Sequence, residues 1–147
     1  MRLSFIAAIL LLAGCGPPSA PPKPVDPTQE PWYGETVQEL AVLDRQAESA
    51  FAKGNSDEAA AAIARGQPLE NRLLTASRPT LAATEAVSDL DRLYGRMLLA
   101  NRHYGWARLM FQKNLARWRT WRPENPESEK RLQQAKDDIA ECDPHLP

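Results

Sequence analysis

The chain has few of the residues on which catalysis and metal binding usually depend. Its 147 residues include only two histidines, His103 and His145, which stand far apart, and the sequence contains no glycine-rich phosphate loop. Asp89 and Asp91 form a close pair, but on a helix this spacing directs the two carboxylates to different faces. We therefore predict that the protein is not an enzyme and has no cofactor and no metal site.

Strand-forming residues and cysteines are also scarce. Only three Phe and three Tyr occur and no stretch alternates apolar with polar residues, whereas Ala, Leu, Glu, Gln and Arg fill long stretches. This composition predicts a single all-α domain. Of the two cysteines, Cys15 follows an apolar leader, which leaves Cys142 alone near the C-terminus. We predict no disulfide within the chain and a partly exposed Cys142 thiol.

Residues 1–14 have the pattern of an export signal. Arg2 supplies a positive charge, the following run up to Ala13 is apolar apart from Ser4, and this run is too short to span a bilayer as a permanent helix. The end of the leader, Leu12-Ala13-Gly14-Cys15, resembles the bacterial lipobox. An ordinary signal peptide is the alternative.

The lipobox resemblance implies that Cys15 carries a diacylglycerol thioether and an N-acyl chain, which would anchor the protein without a membrane-spanning segment. Gly16 stands where an aspartate would retain a Gram-negative lipoprotein at the inner membrane. By this analogy the protein is lipid-anchored in the bacterial cell envelope, on the periplasmic face of the outer membrane in a Gram-negative host.

Residues 15–31 are predicted to form the lipidated cysteine and a tether. After Gly16 this segment contains seven prolines and hardly any large apolar residue, so it cannot bury enough surface to fold. Repeated prolines favour an extended chain that rises about 3.1 Å per residue and reaches on the order of 50 Å. We predict a disordered spacer; a proline-rich docking motif is the alternative.

Apolar residues spaced three and four apart predict about six helices in a domain spanning residues 32–143, before a short tail, 144–147. Glycines, prolines and capping residues suggest where each helix begins or ends. The predicted helices lie at about 35–54, at 56–65 before Gly66, from Pro68, after Pro79, at 102–121, and after Asn125 and Pro126.

The central helix pair resembles the tetratricopeptide helix-turn-helix repeat. Five residues carry the resemblance, and a weaker second set precedes them by 48 residues, counted from Ala47 to Gly95, where the family spacing is about 34. Asp91 and Arg102 also depart from the family pattern. The resemblance implies that a glycine and a small alanine let two helices approach while aromatic residues fill the gap. A plain helical bundle is the alternative. The five packing residues are Gly95, Leu98, Tyr104, Ala107 and Phe111.

Positive charge is concentrated in one stretch. Residues 92–122 contain eight Arg or Lys and no Asp or Glu, although the whole chain has a net charge of −1. Either this stretch meets an anionic partner, or the acidic helices on both sides neutralise it. Arginine alternating with tryptophan suits binding to phosphate, carboxylate or a membrane interface. The candidate binding residues are Arg108, Arg117, Trp118, Arg119, Trp121 and Arg122.

These observations predict a non-enzymatic adaptor or assembly factor, similar in plan to the tetratricopeptide lipoproteins that pilot secretion or pilus subunits. Its partner would be another envelope protein, since helical repeats form concave binding surfaces. The alternative is direct binding of anionic lipid, glycolipid or a cell-wall polymer such as peptidoglycan through the Arg/Trp residues. Nucleic acid is not expected as a partner outside the cytoplasm.

Overall fold

A computed structural model describes residues 25–147, which contain helices and no strand. The all-α prediction is therefore confirmed for this part of the chain. The predicted signal peptide, Cys15 and most of the predicted tether lie outside the described residues. The elements are α1 (Pro31–Ala52), α2 (Ser56–Leu73), α3 (Leu81–Ala100), α4 (Tyr104–Thr120) and α5 (Pro126–Cys142), with 3₁₀ turns at Pro27–Gln29 and Asp143–His145.

Residues 25–147 form five long helices instead of the predicted six, because the predicted second and third helices are one continuous helix, α2. Gly66 does not end this helix. It is buried, and a Cβ atom there would lie 2.7 Å from Cδ2 of Leu90, so the glycine lets α2 approach α3. Pro68 lies inside the helix and lacks a backbone donor. Burial of Leu73 beyond it helps to keep α2 helical past the proline.

The observed boundaries of the other helices agree better with those predicted from the sequence. A turn separates α3 from α4 at residues 101–103, where Arg102 takes a positive φ of 63°. Gly54 takes a φ of 79° between α1 and α2. At the start of α5, Asn125 and Ser128 form a reciprocal capping box, and Pro126 occupies the first helical turn.

The helices pack as two hairpins and a closing helix. Helix α1 pairs with α2 and α3 pairs with α4, while α1 and α2 both contact α3 and α5 packs on α4. Two clusters of buried side chains hold these pairs together. The larger cluster joins α1, α2 and α3 around Leu40, Leu73 and Leu90, and the smaller one joins α3, α4 and α5 around Phe111 and Cys142. Helix α3 therefore contributes to both clusters.

The folded part of the chain extends beyond the predicted domain at both ends. The carboxylate of Asp26 accepts a hydrogen bond from the Thr28 backbone N–H at 3.0 Å and caps the first 3₁₀ turn, so the fold begins before residue 32. At the other end, the His145 ring stacks on Tyr104 with 4.1 Å between centroids, and Leu146 packs against the smaller cluster. The predicted tail is thus part of the domain.

Cys142 is completely buried, so the prediction of a partly exposed thiol was wrong. The last turn of α5 places this residue against Phe111 and Ala107 in the smaller cluster. The sequence suggested exposure because Asp143 and Pro144 follow at the end of the chain. The 3₁₀ turn folds that end back over the thiol, which the local sequence does not reveal.

Within residues 25–147, no helix combines the length and the apolar character required to cross a bilayer.

Candidate functional site

Much of the positive charge of residues 92–122 is paired inside the domain. The Arg92 guanidinium donates two hydrogen bonds to the Asp138 carboxylate at 2.6 and 2.9 Å, and Arg108 donates one to Asp143 at 2.7 Å. The hydrogen bond from Arg92 to Asp138 outweighs desolvation and raises the pKa of Arg92. These contacts place the acidic last helix against the basic central hairpin.

Two further basic residues belong to a partly buried ion cluster formed by Glu70, Asp91, Lys113 and Arg117, in which the carboxylates are buried and the Lys113 side chain is 46% exposed. The Lys113 ammonium donates to Glu70 at 2.8 Å and to Asp91 at 2.9 Å, while Arg117 donates to the other oxygen of Asp91 at 2.7 Å. Burial and the neighbouring Asp91 carboxylate raise the pKa of Glu70. Burial alone would lower the pKa of Lys113, but its hydrogen bonds to the two carboxylates raise it overall. The cluster connects α2, α3 and α4.

The predicted Arg/Trp residues do not form one surface. Trp118 is buried and its indole N–H donates to the Ser88 hydroxyl at 2.7 Å, and Arg117 is held by Asp91. Arg119 and Arg122 are exposed. Trp121 is half-buried, with its ring centroid 6.2 Å from that of Trp118.

Four of the five predicted repeat-packing residues meet between α3 and α4. A Cβ on Gly95 would lie 2.5 Å from Cε1 of Phe111, so the glycine creates the space that the phenyl ring occupies. Ala107 is completely buried beside Phe111, and Leu98 packs on the same cluster. Tyr104 instead stacks on His145.

A polar groove runs between α1, α3 and α5. It encloses about 270 Å³, and charged residues of both signs line it: Asp44, Glu48, Asp89, Arg96, Lys130 and Arg131. Burial, and then the nearby carboxylates of Asp89 and Glu48, raise the pKa of Asp44 to about 7. Arg96 is exposed and has no ion pair among residues 25–147. No local pattern in the sequence predicts this groove, because its walls come from three helices that are distant in sequence.

A second concavity, called the pocket below, lies between the α2–α3 connection and the end of α4. It encloses about 700 Å³ and is lined by Leu74, Arg78, Pro79, Arg117, Trp121 and Arg122, among others. Three of these residues belong to the predicted Arg/Trp set. The α2–α3 connection supplies the other half, and no local pattern in the sequence pointed to it.

The described residues 25–147 contain no group of three or more His, Cys, Asp or Glu side chains arranged to hold a metal ion. Asp89 and Asp91 have different partners, Arg131 and the partly buried ion cluster, as the helical spacing predicted. No family model, curated protein or solved structure matches this chain. The functional assignment therefore rests on the geometry of the groove and the pocket.

Proposed function

We propose that the protein is a lipid-anchored, non-enzymatic adaptor of the bacterial cell envelope whose groove binds a segment of another envelope protein. Lipid attached to Cys15 would hold it at the membrane, and the proline-rich tether would allow the domain to reach its partner. In a Gram-negative host the favoured location is the periplasmic face of the outer membrane.

The order of helix contacts supports a tetratricopeptide-like arrangement of two hairpins and a closing helix. In such repeats the first helices of successive hairpins line one face and the second helices lie behind them. Here α1 contacts α3, and Arg92 and Asp89 of α3 pair with Asp138 and Arg131 of α5. Such an arrangement would bring α1, α3 and α5 to one face, with α5 joined to α3 through these ion pairs and packed mainly on α4.

The groove between those three helices is the observation that carries the proposal. Its lining combines acidic residues of α1, such as Glu48, with basic residues of α3 and α5, such as Arg96 and Lys130. A surface of this kind can select an extended or helical segment by the order of its charges, because mismatched charges are costly. Its small apolar content favours a reversible protein contact over a stable core-like interface.

Site-specific photocrosslinking in the native host tests the adaptor proposal. A benzoylphenylalanine replaces Arg96, which lines the groove, or Ala60, which is exposed on α2 and serves as the control. We expect a discrete adduct with one envelope protein from position 96 and none from position 60. The proposal fails if neither position forms an adduct, or if both capture the same proteins equally, since the groove would then confer no selectivity.

A further inference from the structure

We propose that the pocket binds anionic phospholipid headgroups of the membrane that holds the lipid anchor. This inference rests on the anchoring part of the proposed function but not on the protein partner of the groove. It gives the domain two surfaces: the groove for a protein and the pocket for the membrane.

The lining of the pocket has the chemistry of an anionic membrane interface. Each of its charged residues, Arg78, Arg117 and Arg122, is an arginine. Arg78 has no ion pair among residues 25–147, whereas Arg117 is fixed by Asp91. Arg122 pairs with Glu124 at 3.2 Å, but both side chains are 63% exposed, so solvent screens that pair and a phosphate can compete for the arginine.

Apolar groups complete the lining. Leu74 is 42% exposed, and Pro79, Trp121 and Pro123 lie around the same cavity. Tryptophan rings sit favourably at the level of lipid headgroups, and arginine binds phosphate through two parallel hydrogen bonds. A free inorganic anion would leave this apolar surface in water, whereas a lipid surface would cover it. The combination therefore favours phospholipid over a soluble anion.

Helix α1 begins near the end of α2, which borders the pocket. Tyr33, near the start of α1, belongs to the same buried cluster as Leu73 and Ala76, which flank pocket residue Leu74 in sequence. The guanidinium of Arg72 stacks on Trp32, with 4.1 Å from Cζ to the ring centroid. The start of α1 therefore lies at the end of the domain that carries the pocket.

Only nine residues, 16–24, separate Cys15 from the described chain. Fully extended, they span about 30 Å. A short tether of this kind raises the effective concentration of the pocket at the membrane to roughly the millimolar range. Individually weak contacts then suffice for docking. Each basic residue near an anionic surface strengthens binding about five-fold, so Arg78 and Arg122 together favour the docked domain by about 25-fold.

Amide hydrogen exchange of the lipid-anchored chain in nanodiscs tests this proposal. The discs contain phosphatidylcholine alone or phosphatidylcholine with phosphatidylglycerol. We expect amide exchange in residues 74–78 and 120–122 to slow by up to about 25-fold in the anionic discs. High salt should reverse this slowing, because it screens the phosphates.

Charge reversal provides the matched comparison. Arg78→Glu combined with Arg122→Glu should abolish the slowing, since both side chains are exposed and their replacement leaves the core intact. Arg102→Glu is the control, because Arg102 is exposed in the turn after α3, whose last residue, Ala100, lies about 24 Å along the helix from pocket residue Thr84. Unchanged exchange in the buried part of α3 verifies that each variant is folded.

Four results would overturn the proposal. The first is equal exchange in the two kinds of disc, and the second is that Arg102→Glu loses the slowing as fully as the double variant. The third is that inorganic phosphate slows exchange in detergent, without a bilayer. The fourth is that exchange slows only after an envelope protein is added. The last result would assign the pocket to a protein. A chain without lipid does not enter the discs, so failure of the anchoring proposal is recognised separately from failure of the pocket.

Discussion

Single residues determine how closely the helices of this domain approach. Gly66 and Gly95 both occupy positions where a Cβ atom would come within 3 Å of a neighbouring side chain. Gly105, near the start of α4, has no atom within 4 Å of such a Cβ. The same residue type therefore has opposite consequences for stability at positions 95 and 105.

Replacing Gly95 by alanine should destabilise the domain. Alanine favours the helix by about 1 kcal/mol, but overpacking against the Phe111 ring costs about 1 to 3 kcal/mol. We expect the free energy of unfolding to fall by about 1 kcal/mol in urea denaturation. Gly105→Ala is the control and should raise it by about 0.5 kcal/mol, because only the helix preference acts there. Equal stabilisation by both changes would show that α3 and α4 are not in close contact.

At the scale of helices, charged side chains specify which elements meet. The Lys113 ammonium of α4 bridges Glu70 of α2, 43 residues away, and Asp91 of α3, 22 residues away. The Glu70 and Asp91 carboxylates are buried, so loss of a cationic partner leaves buried charge uncompensated, although water partly screens Lys113, whose side chain is 46% exposed. The cluster therefore favours one arrangement of α2, α3 and α4 even where it adds little net stability.

Helix packing also places Asp44 of α1 near Asp89 of α3 and raises the pKa of Asp44 to about 7. Between the unfolded pKa near 4 and this value the folded state binds more protons, so Asp44 reduces stability increasingly as the pH rises. Asp44→Asn should stabilise the domain by about 2 kcal/mol at about pH 8 after allowance for solvent screening, and much less near pH 4.

Thermal unfolding at the two pH values measures this difference. Glu39→Gln is the control, since Glu39 is exposed on the same helix. A gain for Asp44→Asn that does not depend on pH would mean that the Asp44 carboxyl titrates normally and that the groove does not desolvate it.

Local sequence signals predict most of the helix boundaries but not the groove or the pocket. The break at residues 101–103 and the cap at Asn125 depend on neighbouring residues, so they were predictable. Gly66 and Pro68 would end an isolated helix, yet contacts with α1 and α3 keep α2 continuous. The groove and half of the pocket join residues from separate helices, and the chain offers no periodicity that reveals such pairings.

At the scale of the whole molecule, the proposed envelope location depends on Cys15, which lies outside the described residues. Cys15→Ser should prevent acylation and release the protein from the membrane fraction, while circular dichroism of the helical domain stays unchanged. Intact-mass measurement of the wild-type protein from its native host should give a chain that begins at Cys15 and carries diacylglycerol and an acyl group.

A serine replacement elsewhere in the tether, Ala20→Ser, is the control and should leave both the mass increment and the fractionation intact. An unmodified wild-type chain still beginning at Met1 would contradict the envelope location. Cytoplasmic anions, including nucleic acid, would then become candidate partners for the basic residues within 92–122.

The burial of Cys142 limits the reactivity of its thiol. Its thiol is the only one in residues 25–147, and desolvation raises its pKa, which makes the reactive thiolate scarce. At the proposed envelope location, which is oxidising, this burial would protect copies of the domain from cross-linking to one another. Because α5 must detach before a reagent can reach the sulfur, the rate of thiol labelling reports how often the last helix opens.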